Sequence, residues 1–444
     1  MLKKLFQSLR LPLNRRPAQH RSRPAISARQ HPLQPRDISE NAVSVVERLQ
    51  KNGHEAYVVG GCIRDLLLDI RPKDYDVATS ATPEQVRNLF RNAHIIGRRF
   101  RLVHVQFGRE VIEVATFRTD HKSTDRSGRI LSDNSFGSLE DDAWRRDFTI
   151  NALYYDPLSG RILDHTHGLH DIHNRLIRLI GTPEQRYQED PVRMLRAVRF
   201  AAKLDFDLEY HSARPIRSLA RLLNDIPASR LFDEVLKLFL GGHGEYTLDL
   251  LLHYDLFAPL FPATATALQH NPDYTESLIR QALANTDERI AQGKPVTPAF
   301  LFAALLWPAL PGRALALQDR GLPPLPAMQQ AAHDLIWEQC QRTAIPKRFS
   351  LPVREIWDIQ ERLPRRQGRR ADQLLGHPRF RAGYDLLLLR ESAGEQTGEL
   401  GHWWTLYQEA TDSGRRELIR ELGSEGKRPR RGGRRPGSRN RRTD

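Results

Sequence analysis

At 444 residues and 39% hydrophobic content, the chain carries enough apolar material for two or three packed domains, which excludes a wholly disordered or fibrous protein. Two cysteines, Cys62 and Cys340, make neither a disulfide framework nor a zinc-binding set, so a reducing cytoplasm is the expected compartment. The formal net charge of +14 sits at the ends: residues 1–36 hold nine Lys/Arg and no acid, residues 427–444 hold nine Lys/Arg and one acid, and the body between them is near neutral.

Both ends are poor in apolar residues and rich in Pro, Arg, Ser, Gln or Gly. Residues 1–37 and 421–444 are therefore expected to be basic, disordered arms that bind polyanions by displacing counterions. No apolar run approaches the roughly 20 residues of a spanning helix, and the opening Met1 to Phe6 offers at most a short basic amphipathic turn without a signal-peptide core. No membrane span is expected.

From 38 to 180, short β-branched strands at 56–59, 103–107, 111–115, 153–155 and 176–179 interleave with helical patterns such as 83–90, the pattern of an α/β head. The first strand runs into Gly60-Gly61, a helical stretch at 63–68 and then Asp74-Tyr75-Asp76. Strand side chains alternate, so Asp74 and Asp76 are expected on one face, where two carboxylates can hold magnesium. The glycine pair allows a tight turn close to a phosphate, with the amides of the following helix aimed at the anion. In the next strand Glu113 points outward between apolar neighbours, toward the same cleft.

Farther along, Arg145-Arg146-Asp147 precedes an apolar, strand-like segment. Guanidinium forks grip phosphate oxygens, and a third carboxylate would complete a two-metal site. The four histidines between Asp164 and His173 (His165, His167, His170 and His173) read as a turn between two strands in place of a metal site.

After Gly181 the periodic segments are helical, at 192–203, 215–223, 229–240, 247–254, 277–285, 299–305 and 326–340. The first of these reads as a helix with Asp190 as N-cap, Pro191 at the first position and a buried stripe of Val192, Leu195, Val198 and Ala202. Asp190 and Arg193, three apart, can lie side by side and present an acceptor and a donor fork to the edge of a base. Arg196, Arg199 and Lys203 follow with helical spacing on the face away from that stripe. Trp403 and Trp404 read as packing residues.

Together these motifs resemble those of the class II template-independent RNA nucleotidyltransferases, the family that holds bacterial poly(A) polymerases and CCA-adding enzymes. They stand here as Val59-Gly60-Gly61-Cys62-Ile63-Arg64-Asp65, Lys73-Asp74-Tyr75-Asp76-Val77, the run from Arg145 to Ala152, and the run from Glu189 to Arg196. Within the family the chain looks most like the poly(A) polymerase branch. The segments that carry this are Ile96 to Val105 with its Arg98-Arg99-Phe100-Arg101, Asp225 to Phe232, Ala344 to Arg348, and the arginine-rich Arg365 to Arg370 before His377 to Arg381.

The resemblance spans residues 38–410 and implies an α+β protein. An α/β nucleotidyltransferase head with a small mixed sheet (38–180) is followed by a helical neck that binds base and RNA (181–245) and an arginine-rich helical body (246–420). It implies that Asp74 and Asp76 carry magnesium (Mg2+) with Asp147 as third catalytic carboxylate and Glu113 as a further candidate. It implies that Gly60, Gly61, Arg64, Arg145, Arg146, Asn151 and Arg196 contact substrate, while Asp190 and Arg193 read the base. The implied activity is addition of AMP from ATP to RNA 3' ends with release of pyrophosphate, marking RNA for decay, by a cytoplasmic monomer that meets RNA-decay proteins.

Two other readings stay open. A CCA-adding enzyme shares the same core, and an RNA-binding protein could keep the fold without catalysis. The intact aspartates weigh against the second, and the arginine-rich segments favour poly(A) addition over the first.

Overall fold

The structure, a computed structural model, describes residues 25–97, 101–119, 123–124, 130–132 and 136–425. It divides into two compact units, Met1–Leu219 and Ala220–Asp444. Arg98, Arg99, Phe100 and most of both basic arms lie outside the described residues.

The first unit is built on a seven-stranded mixed sheet. Its strands are β1 (Ala56–Val59), β2 (Asp76–Thr79), β3 (Ala93–Ile96), β4 (Leu102–Phe107), β5 (Glu110–Thr116) and two more at Leu153–Asp156 and Arg161–Asp164. They lie in the order β3-β4-β5-β2-β1, then Leu153–Asp156 and Arg161–Asp164, and every pairing is antiparallel except β2 with β5. One face of the sheet is largely apolar, with Val58, Val77, Val103, Val105, Ile112 and Val114 buried. Helices α1 (Glu40–Lys51) and α3 (Pro83–Leu89) pack against the sheet. In α1, Ala42, Val45, Val46 and Leu49 recur at helical spacing and are fully buried, so one stripe does the packing.

The other face mixes chemistry with packing. Val59, Ala78, Phe117 and Tyr154 form a core cluster there with Leu139 and Ala143 of α4 (Leu139–Arg145). Along one ladder row of the same face the register aligns His94, His104, Glu113, Asp76, Val59, Tyr154 and Leu163. Between β1 and β2 lies α2 (Gly61–Leu67), which begins at the glycine pair, two residues earlier than the helical stretch read from the sequence.

Several boundaries differ from the sequence reading. Residues 25–37, expected in a disordered arm, are described as part of the fold: Ile26 pairs with Ile162, Leu33 is buried and Pro35–Asp37 is a 3-10 turn. The segment is held by backbone bonds between Ile26 and Ile162, by His31 Nε2 3.0 Å from the Gly160 carbonyl oxygen and by buried Leu33, none of which registers as a periodic pattern. Residues 421–425 likewise end the helix Asp412–Glu425 and do not begin a tail. The expected strand at 176–179 shortens to Leu176–Ile177, paired in parallel with Asp207–Leu208. Within the histidine-rich turn, the Asp164 carboxylate accepts the amides of Thr166, Gly168 and Leu169 and starts the short helix α5 (Gly168–His173). Helices α6 (Pro183–Glu189) and α7 (Val192–Leu204), expected in a neck over 181–245, fall within the first unit.

The second unit is helical, with long elements at Pro272–Ala291, Pro324–Arg342, Lys347–Arg362 and Phe380–Ser392. Trp357 and Trp404 are buried in its core, their indole N–H groups donating to the carbonyls of Ala303 at 3.0 Å and Leu363 at 3.1 Å. Trp403 packs on Tyr407 in the same cluster, so both tryptophans of the pair are packing residues. One stretch, Pro298–Asp319, is long and apolar enough to cross a membrane by composition, which the sequence reading passed over, and half of its most apolar window is buried inside this unit, as in a core helix.

Candidate active site

The β1–α2 turn owes its shape to Gly60, whose φ of 87° only glycine adopts without strain. Its amide donates to the carbonyl of Leu153 at 3.2 Å. A Cβ at Gly60 would lie 3.4 Å from the Arg146 guanidinium, and one at Gly61 3.4 Å from that of Arg64, so both glycines keep backbone close to cations.

Two carboxylates meet across the sheet. Asp76 opens β2, and its register partner on the parallel strand β5 is Glu113. Glu113 in turn faces His104 on β4, with His104 Nε2 3.4 Å from Glu113 Oε2. Asp74 is not on the strand, where period-two alternation had placed it; it lies exposed in the irregular segment just before β2. Partial burial, then Glu113 and more weakly Asp74, push the Asp76 carboxyl up to about 6, against the pull of Arg146. Crowded carboxylates that resist ionising together are the donor chemistry of a hard divalent cation, although no group of three His, Cys, Asp or Glu side chains forms a ready cage among the described residues.

Asp147 stands elsewhere. Its Oδ2 accepts from Arg196 Nε at 2.7 Å and lies 2.5 Å from the other guanidinium nitrogen; its Oδ1 accepts from the Phe148 amide at 2.8 Å and Asn151 Nδ2 at 3.2 Å. Burial alone would raise its pKa, but these partners, Arg196 foremost, hold the carboxyl below its ordinary range. The carboxylate paired with Asp76 in the sheet register is Glu113, while Asp147, expected as the third catalytic carboxylate, is engaged by Arg196, Asn151 and the Phe148 amide.

Arg64 is buried, and its described bonds all go to protein: Nε and one terminal nitrogen to Asp65 Oδ1 at 2.8 and 2.5 Å, the other to Asn151 Oδ1 at 2.5 Å. Its guanidinium also lies against the glycine turn, 3.4 Å from where a Cβ at Gly61 would sit. Arg145 and Arg146 share the buried Asp142, with Nε at 3.3 Å and 3.2 Å from its two oxygens, and the Tyr154 hydroxyl donates to Asp142 at 2.7 Å. Burial would raise Asp142, yet Arg146, Tyr154 and Arg145 hold its carboxyl below the usual range. Sequence reasoning missed Asp142; its signal was an acid three and four residues before the two arginines on one helix. Arg186, also missed, donates to the carbonyls of Arg145 at 2.6 Å and Arg146 at 2.8 Å.

On α7 the expected stripe is present, with Val192, Leu195, Val198 and Ala202 all buried. Asp190 is not its N-cap: that position is Pro191, while Asp190 ends α6 and accepts the Val192 amide at 3.2 Å. Arg193 does not lean on Asp190 with its side chain. It donates to Glu189 Oε2 at 3.1 Å and the Arg186 carbonyl at 2.7 Å. Arg64, Arg196 and Arg199 crowd one phenyl ring, 5.0, 5.4 and 4.7 Å from the centre of Phe200. Cys62 is buried, its thiol pushed up to about 12 by burial, so it carries no nucleophilic role.

Comparison with known proteins gives the family. Three family models fit, described as "Poly A polymerase head domain" over residues 56–178, "Probable RNA and SrmB- binding site of polymerase A" over 205–268 and "Polymerase A arginine-rich C-terminus" over 320–442. The chain is 50% identical over 425 residues to poly(A) polymerase I of Escherichia coli O157:H7, covering 93% of this chain and 91% of that one. To the Haemophilus influenzae poly(A) polymerase I it is 48% identical over 408 residues, covering 89% and 90%. The CCA-adding enzyme of Lactobacillus helveticus is 40% identical over 225 residues, half of this chain and 55% of that one. Among solved structures, the Bacillus stearothermophilus CCA-adding enzyme in complex with CTP aligns with a TM-score of 0.56 at 27% identity, covering 86% of this chain and 82% of that one.

Proposed function

Since the chain belongs to the poly(A) polymerase I family of nucleotidyltransferases, we propose that the sheet face carrying Asp76 and Glu113 is where it joins AMP from ATP to an RNA 3' end. The observation that carries the reading is the Asp76–Glu113 register pair beside the Gly60-Gly61 turn. Asp74, Asp76 and Glu113 would hold magnesium, which when bound supplies the charge neutralisation that lets a triphosphate and a 3'-hydroxyl approach. The chain's own residues do the rest.

The glycine turn admits the triphosphate close to backbone, and Arg146 and Arg145, fixed by Asp142, present cationic edges toward it. The RNA 3'-oxygen attacks the α-phosphorus in line and pyrophosphate leaves, with no covalent enzyme intermediate. Arg193, held by Glu189, and Asp190 are the proposed readers of the base, and the basic ends are the proposed polyanion contacts. We place the activity in the cytoplasm, on RNA destined for decay.

The CCA-adding reading shares the head, but the poly(A) polymerase relatives are matched over about nine tenths of their length and the CCA-adding relative over about half. The test of the site is nucleotide transfer by Asp74→Asn and Asp76→Asn: the reading predicts loss of transfer in folded protein, and wild-type turnover by either variant would overturn it.

A further inference from the structure

Resting on the reading of the glycine turn as the triphosphate cradle, we propose that Lys203 is a positioning residue: with Arg196 it forms a two-point clasp by which α7 holds that cradle, instead of serving as an RNA contact. The two cations are seven residues apart, two helical turns on one face and about 10 Å along the axis. Each reaches inward to a carboxylate of another element. Arg196 binds Asp147 at 2.5 and 2.7 Å, and Lys203 Nζ lies 3.4 Å from Asp65 Oδ2.

The two anchor points are themselves joined. Asp65 holds Arg64 through its other oxygen, Arg64 donates to Asn151 Oδ1, and Asn151 donates to Asp147 Oδ1. Arg196, Asp147, Asn151, Arg64, Asp65 and Lys203 therefore close a ring through the helix backbone. Arg64, at the centre, lies directly beneath Gly61 and against Phe200, itself a residue of α7. A shift of Arg64 moves the backbone that would meet the phosphates.

Lys203 is the member of the ring best suited to a test. Its side chain is 40% exposed, so its loss threatens the fold least, and Asp65 is its described ion-pair partner. Burial of part of its stem pulls the ammonium's pKa down and Asp65 partly restores it, while the side chain keeps 40% of its surface in solvent.

The experiment uses full-length wild type, Lys203→Met and Lys203→Arg. ATP affinity is measured calorimetrically, KM for ATP and for an unstructured RNA by initial rates, and RNA Kd against salt by anisotropy. The clasp predicts that Lys203→Met weakens ATP binding and raises KM for ATP about tenfold, with RNA Kd and its salt slope within about twofold of wild type, and that Lys203→Arg recovers most of the loss. A drop in RNA affinity with a flatter salt slope and unchanged ATP binding makes Lys203 an RNA contact and overturns the proposal, as does a variant indistinguishable from wild type in both. Because ATP affinity is read independently of turnover, a wild type that binds ATP without extending RNA refutes the polymerase reading while the clasp is still decided by the binding data.

Discussion

Asp147 and Arg196 form a tight ion pair across 49 residues of sequence, the guanidinium reaching one carboxylate oxygen with two nitrogens at 2.7 and 2.5 Å. The carboxylate's other oxygen is taken by Asn151 and the Phe148 amide, so the aspartate of the Arg-Arg-Asp motif fastens α7 to the segment after α4.

Arg196→Ala should therefore destabilise the protein by about 2 kcal/mol at pH 7, because it strands a largely buried charge. Asp147 has its pKa lowered in the folded state, so its contribution is present above the unfolded value and is lost as pH falls through the folded one. The gap between variant and wild type, measured by urea unfolding, should shrink between pH 7 and pH 3. A constant gap would mean that Arg196 acts through packing on Phe200 alone.

Glu113→Gln should lower single-turnover transfer by about a hundredfold or more without loss of thermal stability, since its carboxylate lies in the proposed site and, at 43% exposed, outside the core. Asp147→Asn should differ in kind, losing stability together with activity. If Asp147→Asn keeps full stability and loses only transfer, the assignment of the two carboxylates is reversed.

The raised Asp76 gives a pH signature. Its folded-state value of about 6 lies above its unfolded one, so the metal-free protein loses stability as pH climbs from about 4 to 6, and the penalty is complete above that. Magnesium should raise the melting temperature more at pH 8 than at pH 5. Asp76→Asn should raise the metal-free melting temperature by roughly 2 °C at pH 8 and abolish the magnesium effect. Differential scanning fluorimetry reads both, and an equal magnesium shift at the two pH values would remove Asp76 from the ligand set.

Much of this was legible in sequence, and the limits have a physical pattern. Local pattern placed β1, β4, β5, α3 and α7 within a residue or two, because β4 and β5 bury an alternating face, α3 and α7 a helical stripe, and β1 is a short β-branched run buried on both faces. Glycine pair and acid pair were likewise visible as motifs. What could not be read was pairing between distant segments. That β2 lies parallel to β5, bringing Glu113 opposite Asp76, depends on a path through α3, β3 and β4. Arg64 to Asn151 spans 87 residues and Lys203 to Asp65 spans 138. From sequence alone, cations on one helical face read as surface groups waiting for RNA, whereas in the fold Arg196 and Lys203 are turned to internal carboxylates.

Arg193→Ala should blunt the preference for ATP over CTP more than it weakens RNA binding, and Glu189→Gln should do the same more mildly by freeing the guanidinium. Competition assays with both nucleotides measure this. An unchanged preference in Arg193→Ala places base reading elsewhere.

Deleting residues 427–444, with nine Lys/Arg, should weaken RNA binding and flatten the plot of log affinity against log salt by several units, at roughly 0.7 per phosphate contact on single strands. An identical slope would make the tail a solubility element.

The central claim is tested most directly by primer extension with magnesium, offering each nucleotide singly to an unstructured RNA and ATP with CTP to a tRNA lacking its terminal CCA. The account predicts long ladders from ATP on the unstructured RNA, with little extension by the other three nucleotides. Addition of two C and one A to the tRNA followed by arrest, with no ladder on the unstructured RNA, would contradict it.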